Sequence, residues 1–144
     1  MSFSNPTSKA ECSAENAYKW TDGRAIFASG SPFAKVVLNG KTYTPAQGNN
    51  MYIFPGLGLG SFLSQTKEVT DEMVTTAARA LADTTTEEHL AAGSLYPPLT
   101  EVRKISHTIA MKVMLKAKEQ GLNGIEYPED LAKYVQENMW EPTY

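Results

Sequence analysis

Hydrophobic positions fall in short β-rich runs through the first third of the chain and recur at helical spacing afterwards, so the elements can be read from the change of period. Met1 to Asn5 reads as a tail, since too few residues precede the Asn5-Pro6 turn for a useful strand. Ser8-Lys9-Ala10-Glu11 has the capping-box spacing and predicts a helix to about Trp20, ended by Thr21-Asp22-Gly23. Arg24-Ala25-Ile26-Phe27-Ala28, a short apolar run between turn residues, predicts a buried strand. Lys35-Val36-Val37-Leu38 and Lys41-Thr42-Tyr43-Thr44 flank Asn39-Gly40, the dipeptide that best supports a type I′ turn, and predict a small hairpin. After a polar loop, Met51 to about Gln65 is apolar all round. This predicts a helix buried on every face, its glycines admitting a close neighbour.

The remainder reads as helical. Thr70 is placed as an N-cap, with Asp71 and Glu72 in the first turn and Met73, Val74, Ala77, Ala78, Leu81 and Ala82 forming the apolar face. Thr84-Thr85-Thr86-Glu87-Glu88 offers overlapping capping boxes for a short helix ended by Gly93. From Glu101 to Gln120, Val102, Ile105, Ile109, Val113 and Ala117 mark one face of a helix about 30 Å long, stopped by Gly121. A last helix is predicted over roughly Glu129 to Glu137.

Composition narrows the function classes. The 144 residues suit one domain with a packed core, at 42% hydrophobic and 20% charged. Thirteen basic against sixteen acidic residues, with no Lys/Arg cluster, argue against nucleic acid as a partner. The longest apolar stretch is interrupted by Pro55 and several glycines and is too short to span a bilayer, so no membrane role is expected. No secretory signal is read at the start, and the lone Cys12 fits a reducing, intracellular setting, cytosol or organelle.

Few residues suggest chemistry. Gly56-Leu57-Gly58-Leu59-Gly60 fails the dinucleotide spacing, with Ser61 or Leu63 where the third glycine belongs, and is read as helix packing. Ser64-Gln65-Thr66-Lys67 matches S-x-x-K without its companion motifs. His89 and His107 lack partners at metal-ligand spacing, and Cys12 has no basic neighbour to activate it. Two amide-bearing segments remain, Ser4-Asn5-Pro6-Thr7 and Gln47-Gly48-Asn49-Asn50. An Asn side chain presents a donor and an acceptor together and suits a ligand, while Asn and Gly in loops also serve turn geometry.

At these segments the sequence resembles the C-terminal part of malic enzyme. The resemblance is carried in order by Ser4-Asn5-Pro6-Thr7-Ser8-Lys9-Ala10-Glu11-Cys12, by Arg24 through Phe33, by Gln47-Gly48-Asn49-Asn50 with Tyr52-Ile53-Phe54-Pro55-Gly56, and by Leu95-Tyr96-Pro97-Pro98-Leu99. Ala46 stands where that family usually has glycine, and Met51 where it has a smaller residue. The resemblance implies an α/β fold: the C-terminal remnant of a Rossmann-type dinucleotide-binding domain over residues 1–66, including the hairpin, then a helical C-terminal domain over 67–144.

It further implies oxidative decarboxylation of L-malate to pyruvate and CO2 with NAD or NADP and Mg2+ or Mn2+. Asn5 and Asn49 are implied as malate contacts with Asn50 near the same pocket, and Asn5 and Asn50 also lie beside the nicotinamide. Side chains of Asn5 and Asn49 are expected to converge on one ligand. By the same resemblance the acid/base pair, the metal-binding carboxylates, the phosphate-binding Gly loop and the determinant of NAD against NADP lie upstream. No catalytic or metal-binding residue is therefore assigned in this chain. Its expected partner is the remainder of a malic enzyme, a homo-oligomer when complete, and alone it is expected to be inactive. The rival reading is a truncated regulatory module that binds full-length malic enzyme.

Overall fold

Ser13, not Ser8, starts the first α-helix. In the computed structural model, which describes Ser2, Ser4 and residues 6–141, Thr7–Lys9 is only a 3-10 turn and the α-helix α1 covers Ala14–Trp20. Ser13 Oγ accepts from Asn16 N–H at 3.1 Å, the cap interaction assigned in sequence to Ser8. Glu11 is thereby left outside any helix and free to turn back toward the chain start.

Ser2, expected to lie in a tail, is instead paired with a strand. Ser2 N–H donates to Ala28 O at 2.9 Å and Gly30 N–H donates to Ser2 O at 3.1 Å, a parallel bridge to β1 (Ala28–Ser29). On the other side of β1, Ala46 N–H reaches Phe27 O and Gly48 N–H reaches Ser29 O, pairing β4 (Ala46–Gln47) in parallel with it. Consecutive carbonyls of a strand point opposite ways, so Ser2 and β4 flank β1 in a small all-parallel sheet. One residue suffices at its edge because both its backbone groups find partners. The expected strand Arg24–Ala28 overlaps β1 only at its last residue: Ile26 is exposed, and Phe27 turns into the core.

The hairpin forms as predicted, β2 (Val36–Leu38) against β3 (Lys41–Tyr43), with Leu38 opposite Lys41. Asn39 and Gly40 take φ of 51° and 76°, the double positive turn that asks for this dipeptide. Tyr43 stacks on Tyr18 with ring centroids 4.6 Å apart, and Ala14 and Phe27 complete the core.

Five further α-helices follow: α2 (Phe54–Ser64), α3 (Asp71–Asp83), α4 (Glu87–Ala91), α5 (Val102–Glu119) and α6 (Leu131–Glu137). The helix α2 is not buried on all faces. Gly56, Leu57, Gly60, Leu63 and Ser64 are buried while Phe54 and Phe62 face outward, because Gly56 and Gly60 let α5 approach on one side alone. In α3 the buried face is Met73, Ala77, Ala80 and Leu81; the expected Val74, Ala78 and Ala82 are exposed. The face of α5 is as read at Ile105, Ile109, Val113 and Ala117, which are buried, while Val102 at its start is half-buried.

The chain divides into two compact units, Met1–Asn49 with Thr84–Pro97, and Asn50–Asp83 with Pro98–Tyr144. The helical second unit takes in α2 and leaves out residues 84–97, so it is not coextensive with the 67–144 segment expected from sequence. Its core is Leu63, Ala110, Met114 and Val135, joining α2, α5 and α6.

Candidate ligand site at the carboxyl edge of the parallel sheet

Three chain segments leave the parallel sheet at its carboxyl edge, where open α/β sheets bind their ligands. From the bridge at Ser2 the chain runs through Ser4 to Pro6; from β1 it runs into Gly30-Ser31; from β4 it runs into Gly48-Asn49. Backbone and side-chain bonds fix this edge. Gln47 Nε2 donates to Gly30 O at 3.2 Å, and Ser31 N–H donates to Ser29 Oγ at 3.3 Å. Ser29 and Ser31 are buried there, while Asn49 is exposed.

Asn5 lies outside the described residues, and with it the expected convergence of its side chain on that of Asn49. Its neighbours are described. Ser4 precedes it, and Pro6 O accepts from Lys9 N–H at 2.8 Å as the 3-10 turn begins. Asn50, exposed like Asn49, opens the second unit, its carbonyl accepting from Ile53 N–H at 3.1 Å. The strands at Ser2 and β4 are two strand spacings apart, about 10 Å. Both amide motifs quoted from the sequence therefore follow parallel strands of one sheet.

Glu11 is the polar group at this edge that sequence reasoning assigned elsewhere. Its carboxylate accepts from Ser2 Oγ and Ser4 Oγ, each at 2.7 Å, and from Ser4 N–H at 3.4 Å. The Ser2 hydroxyl and then the Ser4 hydroxyl hold its pKa down to about 2, although the side chain is exposed. The Ser8–Glu11 spacing concealed this, because it also fits a local cap.

Other candidates are structural. His89 Nδ1 accepts from Thr86 N–H and Thr86 Oγ1 accepts from His89 N–H, closing a capping box that the glutamates were expected to provide. His107 Nε2–H donates to Ala132 O at 2.9 Å. Ser64 Oγ donates to Ser61 O inside the second unit. Cys12 is half-buried against the aromatic core of the first unit. Among the described residues there is no group of three His, Cys, Asp or Glu side chains able to hold a metal ion. No described helix is long and apolar enough to cross a membrane.

Residues 1–118 match the family model described as malic enzyme, NAD binding domain. The NADP-dependent malic enzyme of Dictyostelium discoideum is 50% identical over 144 residues, covering all of this chain and 26% of that protein. The chloroplastic NADP-dependent malic enzyme of Flaveria pringlei is 52% identical over 145 residues, covering all of this chain and 22% of that protein. Among solved structures, the crystal structure of Entamoeba histolytica malic enzyme overlays with a TM-score of 0.70 at 21% identity, over 94% of this chain and 25% of that one, a likeness of fold. This chain thus spans about a quarter of the length of the relatives it matches.

Proposed function

Since this chain belongs to the malic enzyme family, we propose that it supplies the amide side of a malate site in an enzyme that oxidises L-malate and decarboxylates the product to pyruvate and CO2. The observation that carries the reading is the parallel sheet, which brings Ser2, shortly before the Asn5 motif in sequence, and the Gln47-Gly48 segment, just before Asn49, to either side of β1. Its outer strands, two spacings and so about 10 Å apart, leave room for a four-carbon diacid held from both sides. Asn49 then donates its amide N–H to one carboxylate and accepts from the C2 hydroxyl, and Asn5 is assigned by the family resemblance to donate its amide N–H to the substrate as well. Neutral amides orient a dianion without adding charge, which converts binding into alignment of C2 for hydride loss.

A nicotinamide supplies the two-electron acceptor, and the relatives, named as NADP-dependent, favour NADP over NAD. Asn50, next in the chain to Asn49, is assigned by the family resemblance to contact with the nicotinamide. On the family resemblance, the sites of Mg2+ or Mn2+ and of the acid/base pair are assigned to the remainder of the enzyme, and the chain alone is expected to be inactive.

The test is substitution within the malic enzyme that contains this segment. Asn49→Ala lowers kcat/KM for malate by about tenfold, the cost of one hydrogen bond to a charged group, and Asn49→Asp lowers it further by facing the dianion with a like charge. Unchanged malate kinetics in both variants overturns the reading. For the isolated chain, no malate-dependent reduction of NAD or NADP is expected with Mg2+ or Mn2+ present.

A further inference from the structure

The two residues before Asn49 are fastened to β1 and to the bend that follows it, one through its backbone and one through its side chain. Gly48 N–H donates to Ser29 O at 2.8 Å, and Gln47 Nε2 donates to Gly30 O at 3.2 Å. Strand pairing does not require the second bond. A glutamine in so short a strand could leave its amide in water, yet this side chain is half-buried and reaches a carbonyl 17 positions away in sequence. The peptide it reaches is itself held. Gly30 N–H donates to Ser2 O at 3.1 Å on the far side of β1, and the flanking Ser29 and Ser31 are buried, with Ser31 N–H donating to Ser29 Oγ at 3.3 Å. Gln47 therefore joins the exit of β4 to a bend anchored in the sheet, and Asn49, which is exposed, follows two residues later.

We propose that Gln47 is a positioning residue for malate, its amide fixing the exit of β4 against the Gly30 bend so that the chain delivers Asn49 to the carboxyl edge from one defined place. This rests on the malate reading of Asn49. A segment held by the Gly48 bond alone can pivot about it, and the Gln47 bond to a different peptide removes that freedom. Small displacements of a group that orients substrate are costly in rate, so the second anchor acts on the reaction without touching the ligand. A neutral amide suits the task, because it donates to a carbonyl without setting a charge beside a dianion. An ionised carboxylate of the same shape only accepts, and would face Gly30 O with no proton between them.

The experiment compares Gln47→Met, which keeps the bulk and removes the donor, with Asn49→Ala and the double variant in the malic enzyme that contains this segment. Gln136→Met, at an exposed amide of α6, is the control. Malate kcat and KM are measured together with thermal unfolding. Gln47→Met is expected to lower kcat/KM for malate several-fold, up to the loss of about tenfold given by Asn49→Ala, because a residue acting through Asn49 cannot cost more than Asn49 itself. Added to Asn49→Ala it is expected to change kcat/KM by no more than about twofold, because two groups acting through one contact are not additive. A purely structural loss would instead multiply with the Asn49 effect. Gln47→Glu, which sets a carboxylate against Gly30 O, is expected to act in the same direction and takes its place in the cycle if Gln47→Met does not fold. If Asn49→Ala impairs malate kinetics while Gln47→Met and Gln47→Glu do not, or if the Gln47 and Asn49 effects multiply, positioning by Gln47 is rejected and the malate site stands. If Asn49→Ala and Asn49→Asp both leave malate kinetics intact, the malate reading falls and this proposal with it.

Discussion

Glu11 and Tyr18 show what single side chains contribute here. The Glu11 carboxyl titrates at about 2 against an ordinary 4.5, because hydroxyls of Ser2 and Ser4 stabilise its charged form. The folded value lies below the unfolded one, so these bonds contribute fully above the ordinary carboxylate range and are lost as pH falls through about 2. Carbon-detected NMR is expected to place the Glu11 midpoint near that value and to see it rise in Ser4→Ala; an ordinary midpoint in the parent chain refutes the bonding pattern. Tyr18 presents the opposite case. Its ring is wholly buried, stacked on Tyr43, but its Oη has no hydrogen-bond partner among the described residues, and burial pushes the phenol pKa up. Tyr18→Phe removes that unsatisfied hydroxyl and keeps the packing, so a gain of about 1 kcal/mol is expected. A denaturant midpoint lower than the parent's contradicts this.

Helix α2 is shaped by where its glycines fall. A Cβ added at Gly56 would lie 2.7 Å from Ile109 Cβ and 2.8 Å from Ser106 O, and one at Gly60 would lie 2.7 Å from Ala110 O. Neither obstacle is the end of a flexible side chain. Gly56→Ala and Gly60→Ala are therefore expected to push α2 off α5 and to cost about 1–3 kcal/mol each. Gly58 is different, being exposed with nothing within 4 Å of its added Cβ. There the substitution only removes backbone freedom from the unfolded chain and is expected to stabilise by about 0.5–1 kcal/mol. Urea unfolding of the three variants separates the cases; equal effects at Gly56 and Gly58 would mean that close approach to α5 is not why α2 carries glycine.

Taken together, the second unit carries more outward apolar surface than its core requires. Phe54 is 62% exposed, Phe62 77% and Trp140 69%, and a groove of about 290 Å³ is lined by Met51, Pro55, Leu59, Val102, Met139 and Trp140 with the polar Arg103 and Ser106. Exposed aromatic side chains and an apolar groove on one unit favour association. The isolated chain is expected to bind a hydrophobic dye and to self-associate at rising concentration, and Phe54→Ser with Phe62→Ser to weaken both. A monodisperse monomer that leaves the dye dark would show this surface to be tolerated in water.

The elements that could be read from the chain are those decided within a few residues. Asn39-Gly40 dictates its own turn, Thr70 caps α3 from three residues away, and the repeat of Ile105, Ile109 and Val113 marks the buried face of α5 however the neighbours arrive. The asparagine motifs of the proposed site come from the sequence as well, through their resemblance to a family. What could not be read depends on partners remote in sequence. Ser2 becomes part of a sheet only because β1 lies beside it, and Glu11 abandons a local cap because two hydroxyls come within reach once that bridge forms. Residues of α3 face inward or outward according to where α5 lies, and α2 buries only the side that its glycines open. Local patterns record the conformations a segment prefers. Which of its hydrogen-bonding groups and apolar faces are satisfied is set by what the rest of the chain brings against it.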